Sequence, residues 1–415
     1  MPVEIVHPVP VDDVEPWLRQ LGSALVDNTY DSAFPHRITR RRRAWDPERA
    51  WAVRDRGRIV GTFASYDRRL TVPGPGTTTH ELPVDAVTGV SVAATHRRRG
   101  LLSAMIGDSL AAAKDRGDPL SALIAAEWPI YGRFGYAPAT LQTRWNLDPR
   151  RTGVAAEVDR TRVRQVEPAE AGPIADAVFE TARHRRAGQI DRPAPWWDRQ
   201  VGLDGYDVVP GTEAYWFVHD GPDGVDGVVA WMAREHAELT GPGTVAVSQF
   251  IATSRAAERD LWGYLCGLDL VGDIELWGPV DDPARLLLDN GRALRAGEQI
   301  DFLWLRLLDV PAALAARAYA GDGDVVLDVH DRTVGGYAQG RVRLIASGGS
   351  VTCEPTDRAP DVRLDQRTLA SMYLGGFRLR ALATAQDVDE LTPGTLDRLD
   401  VMFSTPLAPY TQTGF

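Results

Sequence analysis

The sequence predicts an α/β (α+β) chain in three segments, the first two built on the same strand, turn and helix unit. Three observations predict it. Val90-Ser91-Val92-Ala93-Ala94-Thr95-His96-Arg97-Arg98-Arg99-Gly100-Leu101-Leu102 runs from β-branched residues through a basic cluster and a glycine into a helix with apolar spacing. Residues 248–262 echo it, with a strand-like run entering a helix at Thr253-Ser254. From about residue 300, apolar strands alternate with short apolar helices. With 415 residues the chain is long enough for two to four domains.

The first segment, residues 1–150, opens with a helix over 13–25. Runs 51–54 and 59–66 read as a hairpin around Arg56-Gly57. A strand over 86–92 follows, then a helix over 100–113. Leu102, Met105, Ile106, Leu110 and Ala113 share one face of that helix. An apolar strand over 120–126 completes a β-β-β-α-β order. The second segment, 151–299, holds the echo. Residue-by-residue matching puts Arg259 where Gly100 stands, flanked by Glu258 and Asp260. A side chain there would block close backbone approach, and two carboxylates would repel an anion, so this copy is expected to be degenerate. Accidental similarity is the competing reading. The third segment, 300–415, has a buried strand over 302–308 and a helix over 310–319. Strands at 325–329 and 341–346 and helices around 366–373 and 396–403 follow.

The basic turn carries the chemistry. A helix N-terminus with free N–H groups and the positive end of its dipole suits a phosphate, and glycine lets the backbone approach it. The turn is neither a P-loop nor a G-x-G-x-x-G dinucleotide fingerprint. It fits the looser Gln/Arg-x-x-Gly-x pattern through Arg97 and Gly100. This resembles the pyrophosphate loop of acetyl-CoA-dependent acetyltransferases of the GNAT superfamily. A solvated basic turn is the competing reading of the loop alone.

A second stretch, Ile130-Tyr131-Gly132-Arg133-Phe134-Gly135-Tyr136, makes the resemblance specific. Together with His96-Arg97-Arg98-Arg99-Gly100-Leu101-Leu102 it resembles the enhanced intracellular survival (Eis) family of actinobacterial N-acetyltransferases. Arg69-Leu70-Thr71-Val72-Pro73-Gly74, Leu303-Trp304-Leu305-Arg306, Asp309-Val310-Pro311-Ala312-Ala313-Leu314, Tyr373-Leu374-Gly375-Gly376 and the aromatic Phe415 also match. The resemblance covers nearly the whole chain and is weakest in the middle. It implies an acetyl-CoA-binding, catalytic GNAT domain over 1–150 and a degenerate second GNAT-like domain over 151–299. A sterol-carrier-protein-like α+β domain over 300–415 is implied as well, from which no lipid ligand follows. It also implies a homohexamer.

Composition narrows the partners. A net charge of −11, from 46 basic and 57 acidic residues, argues against nucleic acid and suits attraction of cationic amines. Arg40 to Arg43 reads as a solvated basic face. Cys266, in a run that reads as a buried helix, and Cys353 fit core thiols, with neither disulfide framework nor metal-ligand spacing. The N-terminus shows no secretory pattern and no run approaches the ~20 apolar residues of a membrane span. A soluble, cytoplasmic protein without a membrane partner is expected.

Acetyl transfer to an amine requires the thioester to be held, its carbonyl polarised, the amine deprotonated and the leaving thiolate protonated. The backbone of Val90, Ser91 and Val92, on a strand expected to splay from its neighbour, is the candidate for holding the amide-rich pantetheine arm. Arg98, Arg99, Gly100, Leu101, Leu102 and Ser103 are the candidate pyrophosphate cradle, with Arg97 beside them. General GNAT loops carry a small residue where this chain has Leu102, a departure shared with the Eis family. The resemblance assigns the general acid to Tyr131 rather than Tyr136, and places Ala126 and Glu127 beside the cofactor. A phenol near pKa ~10 can protonate a thiolate near ~8.5 with modest tuning or in concert with bond breaking. The α-carboxylate of Phe415 is the implied base, although a terminal carboxylate near ~3.5 needs desolvation or a bridging water to act so. Gly414 replaces an acidic residue of the best-known family member, which weakens a claim on polycationic aminoglycosides. His36, His96, His184 and His236 form no recognisable catalytic arrangement. The competing function is a CoA- or lipid-binding scaffold on the same fold.

Overall fold

The computed structural model describes residues 3–202, 214–234 and 242–415. His236 lies outside them. The chain forms two compact units: 1–140 with 186–190 and 301–415, and 141–185 with 191–300.

The first unit contains a sheet of seven strands among the described residues. In spatial order they are Glu4–Val6, Ala50–Asp55, Arg58–Pro73, Thr79–Val92, Leu120–Ile124, Leu303–Leu307 and Ala137–Pro138. The expected hairpin is present, longer than its apolar runs suggested, with Arg56 and Gly57 both at positive φ in its turn. The strand Leu303–Leu307 is buried at every position and lies between Leu120–Ile124 and Ala137–Pro138, antiparallel to both. Helix Leu101–Asp115 packs Met105, Ile106, Leu110 and Ala113 against Trp51, Phe63 and Leu123. Fully burying Met105, Ile106 or Leu110 contributes roughly 1.5–3 kcal/mol each. The unit's second sheet has the order Ser350–Pro355, Gly340–Ser347, Gly323–His330, Val362–Asp365, Val388–Glu390. Helices Gln366–Met372 and Thr395–Met402 bury Leu369, Met372, Leu399 and Met402 in a core continuous with Leu303, Leu305 and Leu307.

The second unit holds the other seven-stranded sheet: Leu294–Asp301, Leu141–Leu147, Val271–Gly278, Gly243–Ala252, Gly224–Ala233, Tyr215–Gly221, Val163–Val166. Helix Arg255–Cys266 links Gly243–Ala252 to its parallel neighbour Val271–Gly278. The echo seen in sequence is therefore real as strand, helix and parallel strand. Its expected alignment is not. Gly100 is the N-cap of the first helix and Ser254 is the N-cap of the second, so Arg259 sits inside the helix. The match counted residues across a link that is long in one copy (93–100) and short in the other (253–254).

Two other expectations change. The basic run lies on helix Phe34–Arg43, and Arg42 and Arg43 are exposed. Arg41 is instead wedged between the rings of Trp17, Trp45 and Tyr66, at 5.0, 5.2 and 4.9 Å, and donates to the Tyr66 hydroxyl. Burial, with Arg40 and Arg68 nearby, lowers its pKa to about 10. Cys266 ends its helix half-buried rather than buried. Burial raises the Cys266 thiol to about 11 and the Cys353 thiol to about 12, which suits packing rather than reactivity.

Candidate active site

A cleft of about 400 Å³ in the first unit collects most of the residues singled out by sequence. Val90, Ser91, Val92, Arg98, Gly100, Leu101, Leu102, Ser103, Ala126, Glu127 and Tyr131 line it. Arg97 lines it too, whereas Arg99 is not in the lining and donates to the Thr95 carbonyl at 3.1 Å.

The strand register opens the cleft. Thr79–Val92 pairs in parallel with Leu120–Ile124 only at Val84, Asp85 and Ala86, opposite Leu120, Ser121 and Ala122. Beyond Ala86 the strands part, while Leu123 and Ile124 continue to pair with Leu303–Leu307 on their other side. Residues 87–92 thus present a backbone edge with no strand partner on the cleft side. A bulge re-aims that edge. Opposite it, Thr62 pairs with Ser91 and Ala64 with Thr88, so the register shifts past Gly89 and Val90. Gly89 has φ +61°, and a Cβ there would lie 2.3 Å from the Trp17 ring. The Thr62 hydroxyl donates to the Gly89 carbonyl at 2.8 Å and lies 2.7 Å from the Ser91 hydroxyl, fixing the bulge. Sequence reasoning missed Gly89, although a glycine inside a β-branched run was its signal.

The basic turn follows. His96 bonds Asp55 at 3.2 Å, and that bond holds the Asp55 carboxyl below its usual range. Arg98 and Gly100 take positive φ, +63° and +76°. Gly100 caps helix Leu101–Asp115 with no side-chain bond, and a Cβ on it would meet open space. The first N–H groups of the helix therefore open beside the cleft with no side chain competing for them. An unpaired strand edge, a side-chain-free helix start and arginines at one mouth fit an amide chain ending in a pyrophosphate.

On the other wall, Tyr131 closes the short helix Trp128–Tyr131. It is 7% exposed, and burial raises its pKa, with the negative Glu127 adding to the effect. Tyr136 behaves differently. It is fully buried and its hydroxyl lies 2.7 Å from that of Ser121, which bonds the Asp85 backbone carbonyl at 3.0 Å. Asp85 accepts from Arg49 at 3.1 Å and Arg116 at 2.8 Å, while burial pushes its pKa up to about 6. Tyr136 is thus tied into the core and absent from the cleft lining, unlike Tyr131.

Phe415 is not in the cleft lining. Its ring packs against the core that holds Leu303 and Leu305. The tail before it is docked: Thr411 and Thr413 are buried, Tyr410 N–H donates to the Ala187 carbonyl at 3.0 Å, and the Thr413 hydroxyl to the Ile190 carbonyl at 3.3 Å. Ala24, Leu25, His96, Ile130 and Arg133 complete the cleft without a sequence expectation of ligand contact. In the second unit, His219 went unremarked in the sequence. Its two ring nitrogens lie 2.5 Å from Asp226 and 3.1 Å from Asp260 in the core. Among the described residues no group of three or more His, Cys, Asp and Glu could hold a metal ion, and no helix is long and apolar enough to cross a membrane.

Comparison with known proteins agrees with this architecture. Family models for acetyltransferase (GNAT) domains match residues 6–139 and 188–307, and a sterol carrier protein domain model matches 310–412. An uncharacterised N-acetyltransferase of Streptomyces avermitilis is 36% identical, over 98% of this chain and 97% of its own length. N-acetyltransferase Eis of Mycobacterium tuberculosis is 35% identical over 86% of this chain and 85% of its own. The crystal structure of Eis1 from Mycobacterium abscessus superposes with a TM-score of 0.85 at 31% identity, covering 100% of both chains. Fold and cleft therefore define a GNAT-type acyltransferase, for which acetyl-CoA is the implied cosubstrate. The chain belongs to the Eis family of N-acetyltransferases, with two GNAT domains in tandem followed by a sterol-carrier-protein-like domain.

Proposed function

We propose that this enzyme moves an acetyl group from acetyl-CoA to a primary amine in the first-unit cleft, with Tyr131 as general acid. The observation that carries the reading is the convergence of three features on one cleft: an unpartnered strand edge, a helix capped by left-handed Gly100, and a buried tyrosine. Acetyl-CoA supplies the activated thioester. The backbone of Val90 and Val92 takes the pantetheine amides as a further strand would. Arg97, Arg98 and the N–H groups of Gly100, Leu101, Leu102 and Ser103 receive the pyrophosphate. Ala126 and Glu127 border the arm from the other wall. The Tyr131 hydroxyl gives its proton to the departing sulfur. Burial and Glu127 favour the protonated phenol, the form an acid needs.

The α-carboxylate of Phe415 takes the amine proton in this reading, and the docked 410–413 segment supports a fixed place for the tail. The acceptor is a small amine of the aminoglycoside, polyamine or lysine-like kind, drawn by the −11 net charge. The enzyme acts in the cytoplasm as a homohexamer, which light scattering would report as six chain masses.

The test is release of free thiol from acetyl-CoA over a panel of amines. Tyr131→Phe is expected to lower turnover about 10²–10⁴-fold, with acetyl-CoA affinity and melting temperature retained. Turnover within a few-fold of wild type would overturn the acid's assignment. Background thiol release from the wild type with every amine would favour the scaffold reading. Residues appended after Phe415 are expected to cut turnover strongly while acetyl-CoA still binds; full activity would remove the carboxylate from the mechanism.

A further inference from the structure

We infer that Arg306 and Gln366 are positioning residues that hold the turn carrying Tyr131 in its catalytic orientation. The inference rests on the proposed role of Tyr131. The turn closes on itself through the Tyr136 N–H bond to the Tyr131 carbonyl at 3.3 Å and the Gly135 N–H bond to the Gly132 carbonyl at 3.1 Å. Of the turn's other carbonyls, distant parts of the chain take those of Phe134 and Gly135. The Arg306 Nη1 donates to Phe134 at 2.5 Å. The Gln366 Nε2 donates to Gly135 at 3.2 Å.

The grip is tight. Gly135 has φ +82°, and a Cβ on it would come 2.9 Å from the Thr333 hydroxyl and 3.3 Å from the Arg306 Nε. Arg306 is itself fixed. Its other terminal nitrogen donates to the Val334 carbonyl and lies 3.6 Å from Asp331, and Tyr337 stands under its guanidinium at 5.4 Å. Both side chains are fully buried.

The Arg306 Nε and the Gln366 Oε1 are buried without a hydrogen-bond partner among the described residues. Orphaned buried polar atoms are unfavourable and rare, and their presence on both members of one brace calls for a reason. An apolar residue at 366 would avoid its orphan; what it would lose is the hold on Gly135. Small errors in the placement of a proton donor are expensive in rate, because the reacting atoms must meet at near-contact distance.

The test is a double-mutant cycle in the full-length enzyme. Gln366→Met keeps the side-chain length, removes the orphan and releases Gly135. It is expected to lower kcat about ten- to a hundred-fold with acetyl-CoA affinity close to wild type, and with a modest fall in melting temperature because the buried Gly135 carbonyl loses its donor. In the Tyr131→Phe background the same change is expected to lower kcat no further, since the brace acts through that hydroxyl. An equal loss in both backgrounds, or no loss in the wild-type background, would overturn the inference. Should Tyr131→Phe alone keep full turnover, the acid's assignment fails and the brace with it, a result distinct from an equal loss beside an impaired Tyr131→Phe. Arg306→Lys keeps the charge and loses the fork, and the same pattern is expected of it. Should that variant fail to fold, Gln366→Met decides the question.

Discussion

The two GNAT copies differ most where strand meets helix. In both, a strand pairs with its parallel neighbour over only part of its length: 84–86 with 120–122 in the first copy, 243–247 with 271–276 in the second. Both then splay. In the first copy a basic link, 93–100, carries the chain to Gly100, which caps the helix with no side chain. In the second, Thr253 and Ser254 suffice, and the Ser254 hydroxyl accepts the Ala257 N–H at 3.0 Å. The first turn there carries Glu258, whereas that of Leu101–Asp115 carries no acid. The Phe250 and Trp262 rings pack at 5.1 Å just past the last parallel pair. One helix starts without a side-chain cap on its N–H groups; the other has one of them, that of Ala257, taken by its own Ser254. The same topology thus gives an open cleft or a packed end, depending on a short link and one capping residue.

The sharpest way to break this comparison is to close the open copy. Gly100→Glu places a side chain where the backbone has φ +76° and a carboxylate beside the cleft. Acetyl-CoA binding is expected to fall below detection by titration calorimetry, with the circular dichroism of the folded protein kept. The wild type should show one site per chain. Retained affinity in the folded variant, or two equal sites in the wild type, would erase the distinction between the copies.

A smaller effect sharpens the assignment of the first copy's far wall. Burial and then Glu127 raise the Tyr131 pKa, and Glu127→Gln removes the second cause. Losing a nearby negative charge stabilises the phenolate, so the pKa falls toward its ordinary ~10. A general acid works while protonated. The alkaline limb of the kcat profile should therefore move to lower pH in Glu127→Gln, with activity at neutral pH changed little. An alkaline limb that stays in place would show that another group sets it.

How much of this was legible in the sequence follows from where the information lies. Helix Leu101–Asp115, the hairpin and the strand before the helix are written in apolar periodicity, and each is present at the expected place, although strands Arg58–Pro73 and Thr79–Val92 run longer than their apolar runs. The cleft residues were legible through the basic turn and the tyrosine motif. Strand partnership was not. Leu303–Leu307 is apolar apart from Arg306 and reads as buried, but nothing in such a run says that it enters the sheet beside Leu120–Ile124. Leu141–Leu147 likewise joins Val271–Gly278 in the second sheet. Arg41 shows the same limit in a side chain: its charge suggested solvent, and the nearby Trp45 with two rings distant in sequence, Trp17 and Tyr66, decided otherwise. The alignment at Arg259 failed because residue counting cannot see a shortened link, whereas the serine before the helix, a good N-cap, was visible.

The smallest expected effect tests the closed copy on its own terms. If the Ser254 hydroxyl replaces a ligand at that helix end, its removal should be felt as stability and not as catalysis. Ser254→Ala leaves the Ala257 N–H without its acceptor, a loss of about 1 kcal/mol for a capping serine. In a unit of this size that corresponds to a fall of roughly 2–4 °C in melting temperature. Ser254→Gly should cost only a few tenths of a kcal/mol, because glycine is tolerated at an N-cap and leaves the N–H group open to water. Neither change should alter acetyl-CoA affinity or turnover, since the cleft proposed for catalysis belongs to the other copy. Differential scanning calorimetry beside the thiol-release assay separates the two readouts. A turnover loss without a melting shift would mean that the second helix start takes part in catalysis, and the division between an open and a closed copy would not hold.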